Sequence, residues 1–249
     1  MYLYIDGVQV RKYSNPIEYD FEKVKKEESN YSMLTIEERE EKILQNSMNR
    51  TTQKILGITR ANKWDYFITF TFNGLNVDRS DLNEISKKTR KWLNNQKNRK
   101  APDLKYILVP ELHADGINWH LHGLLANIGT IQLEDSTKID RAGNTIYNVI
   151  DWEMGYSTVT KVVNNDGVSY YIIKYITKQI CKLTKNRKRY WSSKNCLRLE
   201  DVEQKEFEDK ITLDEFLYIN SDRIRSVNTK DSLFSTTKTS YIELEHEKA

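Results

Sequence analysis

Apolar and polar positions change period several times along the chain. Residues 64–72 end in Phe67-Ile68-Thr69-Phe70-Thr71-Phe72, a β-branched and aromatic alternation that predicts a strand. Residues 105–112 and 118–126 predict two more, joined by the turn Ala114-Asp115-Gly116-Ile117-Asn118, so the pair reads as a hairpin. Residues 81–94 read as a helix followed by an Asn/Lys-rich loop. Residues 127–144 are polar and turn-rich and predict an insertion or mobile loop; residues 146–154 suggest a short helix, and 156–163 alternate as a strand. Asn164-Asn165-Asp166-Gly167 then turns into a segment of helical period, in which Ile172, Ile173, Ile176 and Ile180 gather on one side.

Toward the N-terminus, residues 1–13 alternate as a hairpin around Asp6-Gly7, and 19–62 are mostly helical in composition. Thr35 can cap a helix with Glu37 and Glu38 in its first turn, running to about residue 61. After Arg198 the pattern suggests a helix around 213–217 and strands near 224–227 and 241–244. The order predicts an α+β domain, an antiparallel sheet with helices packed on it. The organisation expected is an N-terminal hairpin and helical extension (1–62), a central domain (63–200) and an acidic C-terminal extension (201–249).

Candidate chemistry lies on two of these elements. His120 and His122, two of only four histidines, stand one residue apart on a predicted strand, so both imidazoles face one side while Leu121 faces the other. Glu111, on the neighbouring hairpin strand, can lie across from them. Two histidines and a carboxylate suit a divalent cation with positions left for water or phosphate. His113, two residues on from Glu111, is a competing ligand. The alternative is a strand with two structural histidines. Four histidines are too few for a binuclear His-rich hydrolase.

The second element carries Tyr171, Lys174, Tyr175 and Lys178 as a stripe opposite the isoleucines. A lysine beside a tyrosine favours the phenolate and attracts phosphate. An amphipathic helix whose tyrosines cover the core edge would produce the same stripe.

Composition narrows the class. The chain has 249 residues with 38% hydrophobic and 30% charged content, enough for one good core plus additions. No apolar run approaches the ~20 residues of a membrane span, and the N-terminus reads as no secretory signal. Cys181 and Cys196 form no CxxC and suit a reducing cytoplasm as unpaired thiols. The net charge of +3 hides segregation: residues 170–200 hold nine Lys/Arg and one acidic residue, whereas 201–249 hold seven Lys/Arg and twelve Asp/Glu. In the basic block, Lys182, Lys185, Arg187, Lys188 and Arg189 run up to Trp191, a pairing of cations and aromatics suited to single-stranded DNA. A second basic cluster, Lys87 to Lys91 and Lys97 to Lys100, falls on a helix and its following loop. No GxxxxGK[ST] is present, so no P-loop nucleotide site is expected.

Taken together, the Thr-rich strand at 67–72, the His-x-His strand with its upstream glutamate, and the Tyr-x-x-Lys helix resemble, in that order, the motifs of the HUH endonucleases. The resemblance is to rolling-circle replication initiators of single-stranded DNA phages, small plasmids and related viruses, and covers roughly residues 63–198. The doubled Tyr171-x-x-Lys174-Tyr175-x-x-Lys178 resembles the two-tyrosine initiators of microviruses. Residues 111–116 resemble the segment before the histidines in single-tyrosine initiators of circular plant DNA viruses, one residue longer here. In relaxases of the superfamily the tyrosine precedes the histidines; here it follows them.

The resemblance implies an RRM-like core with the ligands Glu111, His120 and His122 on central strands, and Mg2+ or Mn2+ as cofactor. It implies Tyr171 and Tyr175 as nucleophiles assisted by Lys174 and Lys178, and 5′-phosphotyrosyl chemistry on single-stranded origin DNA. It also implies a bacterial host cytoplasm with separate host helicase and polymerase. A transposase of the same chemistry and a non-enzymatic RRM-like nucleic-acid binder are the alternatives.

Overall fold

The structure, a computed structural model, describes residues 2–5, 9–13, 33–185, 187–198, 204–206, 215, 217–219, 221–231 and 238–244. Its elements in chain order are β1 (Tyr2–Ile5), β2 (Gln9–Tyr13), α1 (Ile36–Arg60), β3 (Tyr66–Phe72), α2 (Leu82–Arg99), β4 (Lys105–Leu112), β5 (Trp119–Ala126), β6 (Leu133–Ile139), β7 (Thr145–Val149) and β8 (Gly155–Lys161). These are followed by α3 (Asn165–Ile173), α4 (Lys178–Leu183), β9 (Trp191–Ser192), β10 (Gln204–Glu206), β11 (Ile224–Asp231) and β12 (Lys238–Leu244). They form two compact units, Ser47–Cys196 and a second made of Met1–Asn46 with Leu197–Ala249.

In the second unit the terminal segments supply one antiparallel sheet of order β10-β1-β2-β12-β11. The N-terminal hairpin pairs Leu3 with Lys12 and Ile5 with Val10; its turn, residues 6–8, lies outside the described residues, as does most of the helix expected at 213–217. Thr35 caps α1 as anticipated: its Oγ1 accepts from Glu38 N at 3.2 Å and its own N donates to Glu38 Oε2 at 2.7 Å.

The unit Ser47–Cys196 is α+β, a seven-stranded antiparallel sheet of order β6-β7-β8-β3-β5-β4-β9 with helices packed on it. Strand parity sorts its two faces. Ile68, Phe70 and Phe72 of β3 face one way with Leu121 of β5 and Val159 of β8, all buried, and meet α2 and the 150s turn. There the Trp152 ring stacks on Phe70 at 3.8 Å and the Trp92 ring of α2 meets Phe70 edge-on at 5.5 Å. The opposite face presents Phe67, Thr69, His120 and His122 and is covered by α3.

Two expectations fail here. Residues 127–144 are no simple loop: Leu133–Ile139 is a strand with a bulge between Asp135 and Lys138. Residues 145–149 are its partner strand rather than the start of a helix. Thr145-Ile146-Tyr147-Asn148-Val149 is rich in β-branched and aromatic residues and too short for a helix. Asp140 closes the hairpin, Oδ1 accepting from Ala142 N at 2.8 Å and Asn144 N at 2.9 Å. Cys181 and Cys196 are buried and unbridged.

Candidate metal and nucleophile site

The site begins with the register of three adjacent strands. β4 pairs with β5 so that Glu111 lies opposite His120, and β3 pairs with β5 so that Thr71 lies opposite His120 and Thr69 opposite His122. Directly opposed residues share a face, so the carboxylate, both imidazoles and both threonines converge. The hairpin turn holds this register. Asp115 Oδ1 accepts from Ile117 N at 2.8 Å and Asn118 N at 2.9 Å, and Gly116 takes a left-handed φ of 72°.

The ligand atoms of Glu111, His120 and His122 all lie within 4.8 Å of one another, and they form a group able to hold a metal ion. His122 Nε2 is 2.6 Å from Glu111 Oε2, and its Nδ1 is 2.9 Å from Thr69 Oγ1. With Nδ1–H donating to the Thr69 hydroxyl, the Nε2 lone pair is left for a cation, the arrangement by which outer partners orient ligating histidines. His113, the competing ligand, is instead engaged in the turn, its Nδ1 3.3 Å from Asp115 Oδ2.

The electrostatics suit metal binding. Burial pushes the His122 imidazole down to about 3, with His120 and Lys174 adding to the effect. Burial also lowers His120, helped by His113. Both rings are therefore neutral near pH 7, the form that ligates. Burial raises Glu111, against the pull of His120, Lys174 and His113. A cation at this cluster would return that carboxylate to its charged state, so the donor set fits a divalent ion.

α3 brings the tyrosines over the same face. Asn164 caps it, its side chain accepting from Gly167 N at 2.9 Å. The cap is tied down through Asn165, whose Oδ1 accepts from Trp64 N at 3.1 Å and whose Nδ2 donates to Asn62 O at 3.1 Å. The helix stops at Ile173, and a new N-cap, Thr177, accepts from Ile180 N and starts α4. The continuous helix expected through residue 178 is therefore two pieces. Ile172, Ile173, Ile176 and Thr177 are all β-branched, which weakens the helix at the point where Thr177 offers a cap.

This break separates the roles of the stripe residues. Tyr171 is 46% exposed, whereas Tyr175 is 6% exposed. The Tyr171 ring sits edge-on to Phe67 at 5.2 Å and to Tyr175 at 5.8 Å. The Lys174 ammonium lies 3.4 Å from the Tyr171 ring centroid and 4.8 Å from that of Tyr175. Burial pushes the Tyr171 phenol up, but hydrogen bonds from Lys174 and Tyr175, with the Lys174 charge, outweigh it and bring the group below the usual phenol range. Tyr175 moves the opposite way, raised by burial and by its hydrogen bond to Tyr171. Tyr170 points elsewhere, its hydroxyl accepting from Arg60 Nη2. Lys178 opens α4, past the break.

The basic block is divided as well. Lys182, Lys185, Arg187 and Lys188 are exposed. Arg189 is turned inward: Nη1 donates to Ser47 Oγ at 2.6 Å and Thr51 Oγ1 at 3.2 Å, Nη2 to Cys181 O at 3.3 Å and Nε to Thr184 Oγ1 at 3.3 Å. Trp191 is 8% exposed and pairs opposite Leu108 of β4, so it offers no stacking face to a base. An aromatic next to a basic run is ambiguous in sequence; the buried strand partner decides it. Thr69 was visible only as part of a Thr-rich strand. Its place two residues from Thr71, on the histidine face, is the signal that could have assigned it a role.

No helix among the described residues is long and apolar enough to cross a membrane. No curated protein and no solved structure matches the chain. A family model of replication-associated proteins of the ORF2 kind matches residues 65–180. That span starts just before β3, takes in Glu111, His120, His122, Tyr171 and Tyr175, and ends in α4, and the match marks this unit as similar to proteins of DNA replication.

Proposed function

We propose that this protein is a rolling-circle replication initiator that nicks and rejoins single-stranded origin DNA through Tyr171. One observation carries the reading: an exposed tyrosine with a lysine over its ring shares a sheet face with a clustered Glu111-His120-His122 set. The match to a replication-associated family supports it.

Glu111, His120 and His122 would hold the divalent ion, Mg2+ or Mn2+. That ion supplies Lewis-acid polarisation of a phosphate oxygen. Everything else falls to side chains of this chain. Tyr171 Oη attacks the scissile phosphorus, a new P–O bond forms to the phenol, and the P–O3′ bond breaks. The proton lost by the phenol is matched by one gained at the departing 3′ oxygen, leaving a 5′-phosphotyrosyl link and a free 3′-OH. Lys174 stabilises the phenolate and attracts the incoming phosphate. Because the link is still a phosphodiester, a 3′-OH can attack it, release Tyr171 and reseal the strand. Lys182, Lys185, Arg187 and Lys188 would neutralise phosphates of the bound strand.

The test is incubation of the full chain with single-stranded DNA and Mn2+, followed by denaturing electrophoresis. A covalent adduct that requires the cation and disappears in Tyr171→Phe is expected. Cleavage without any protein-linked DNA would overturn the tyrosine mechanism, and binding without cleavage at any sequence would leave only a nucleic-acid-binding module.

A further inference from the structure

The sequence offers two equivalent tyrosines, each heading a Tyr-x-x-Lys, but their surroundings differ. The Tyr175 ring lies flat on the His122 imidazole, centroids 3.8 Å apart and planes 2° from parallel. It is 6% exposed, within the layer between α3 and the sheet. Phe67 lies on the same imidazole at 6.1 Å and 23°. With Thr69 on Nδ1, His122 is thus fixed at one edge by a hydroxyl and on its faces by aromatic rings. The helix break leaves Tyr175 in this layer while Tyr171, on the last full turn of α3, stays open to solvent.

Building on the tyrosine chemistry proposed above, we infer that Tyr175 is a positioning residue and not a second nucleophile. Its ring clamps the His122 imidazole in the plane needed for ligation, and its hydroxyl faces Tyr171. A phosphate could reach the Tyr175 oxygen only if the ring left His122, and that movement would loosen a metal ligand at the moment the ion is required. The two functions exclude each other in one conformation. The chain therefore carries one nucleophile per molecule, and a second cleavage made while Tyr171 is still occupied needs another copy of the chain.

Three variants of the full chain test this. Tyr175→Phe keeps the ring and drops the hydroxyl, Tyr175→Leu drops the ring, and Tyr171→Phe leaves Tyr175 as the sole candidate. Mn2+ affinity, measured by calorimetry without DNA, is expected to stay near wild type in Tyr175→Phe and to fall about tenfold or more in Tyr175→Leu, the scale of losing an outer partner of a ligand. Circular dichroism checks the Leu variant, and Tyr175→Met replaces it if folding fails. Peptide mass spectrometry of DNA adducts is expected to find Tyr171 modified in wild type and Tyr175→Phe, and nothing on Tyr175 in Tyr171→Phe. An adduct on Tyr175, or equal Mn2+ affinity with and without the ring, overturns the assignment. Absence of any adduct in wild type counts against the nicking function alone, since the Mn2+ comparison still decides the clamp.

Discussion

At the scale of single residues, the site is a set of orientations imposed on a few polar groups. Thr69 is the least conspicuous of them. Thr69→Val keeps the branched shape and removes the 2.9 Å contact to His122 Nδ1. Mn2+ affinity should then fall about tenfold to a hundredfold, with little change in melting temperature; an unchanged affinity in calorimetry would mean that the ring stack alone fixes the imidazole. Lys174 acts on a different atom. Its hydrogen bond and charge oppose the effect of burial on the Tyr171 phenol and hold it below its ordinary range. In Lys174→Gln the phenol returns upward, and below its pKa each unit of rise cuts the phenolate about tenfold, since one unit is 1.36 kcal/mol. Adduct formation at pH 7 should slow accordingly, and raising the pH should restore part of the rate. A variant equally slow at every pH would place Lys174 in phosphate binding rather than phenol activation.

At the scale of elements, the pairing of β4 with β5 sets where the carboxylate stands relative to the histidines. Gly123 is the point of closest approach: a Cβ there would stand 2.3 Å from Ile107 O and 2.3 Å from Leu108 Cδ2. Gly123→Ala must push β4 from β5 or tilt them, at a cost of roughly 1–3 kcal/mol for overpacking. Glu111 would move away from His120 and His122 with it. Lower thermal stability and weaker Mn2+ binding should appear together, and normal binding in a destabilised variant would show that the cluster tolerates a shifted β4. This hairpin was legible in sequence because its alternation, its Asp-Gly turn and its chemistry agree: residues 105–112 and the His-x-His strand fall where the period puts them. The segment 127–149 was not legible. Polar residues mask the strand period on an edge hairpin, where Glu134, Asp135, Thr137, Lys138 and Ile139 are all exposed and only the β-branched run at 145–149 hints at a partner. The tyrosine segment was half legible. Helical period placed the isoleucines on the buried side, but a wheel drawn through residue 178 cannot register that Thr177 caps a new helix. The symmetry of the two Tyr-x-x-Lys matches is lost at that cap.

At the scale of the whole chain, charge is the feature that a nucleic-acid partner would read. Residues 170–200 carry nine Lys/Arg against one acidic residue, while residues 201–249 carry twelve Asp/Glu against seven Lys/Arg. The basic block directly follows the tyrosines, so a strand held at Tyr171 would continue along it. Its cations are of two kinds, and the distinction can be measured. Arg189 spends its guanidinium on Ser47, Thr51, Cys181 and Thr184. Lys182, Lys185, Arg187 and Lys188 are exposed. Each phosphate contact made by such a residue releases counterions, contributing about 0.7 to the slope of log affinity against log salt for a single strand. Replacing these four by Gln should weaken single-stranded DNA binding and flatten that slope, by as much as about 2.8 if all four meet phosphates, while leaving the melting temperature nearly unchanged. Arg189→Gln should do the reverse, lowering the melting temperature by removing several internal hydrogen bonds while changing the slope little. If the fourfold variant keeps the wild-type slope, these side chains are solvated surface and the DNA follows another path from Tyr171. If Arg189→Gln alone flattens the slope in a folded protein, that guanidinium leaves its internal partners when DNA binds.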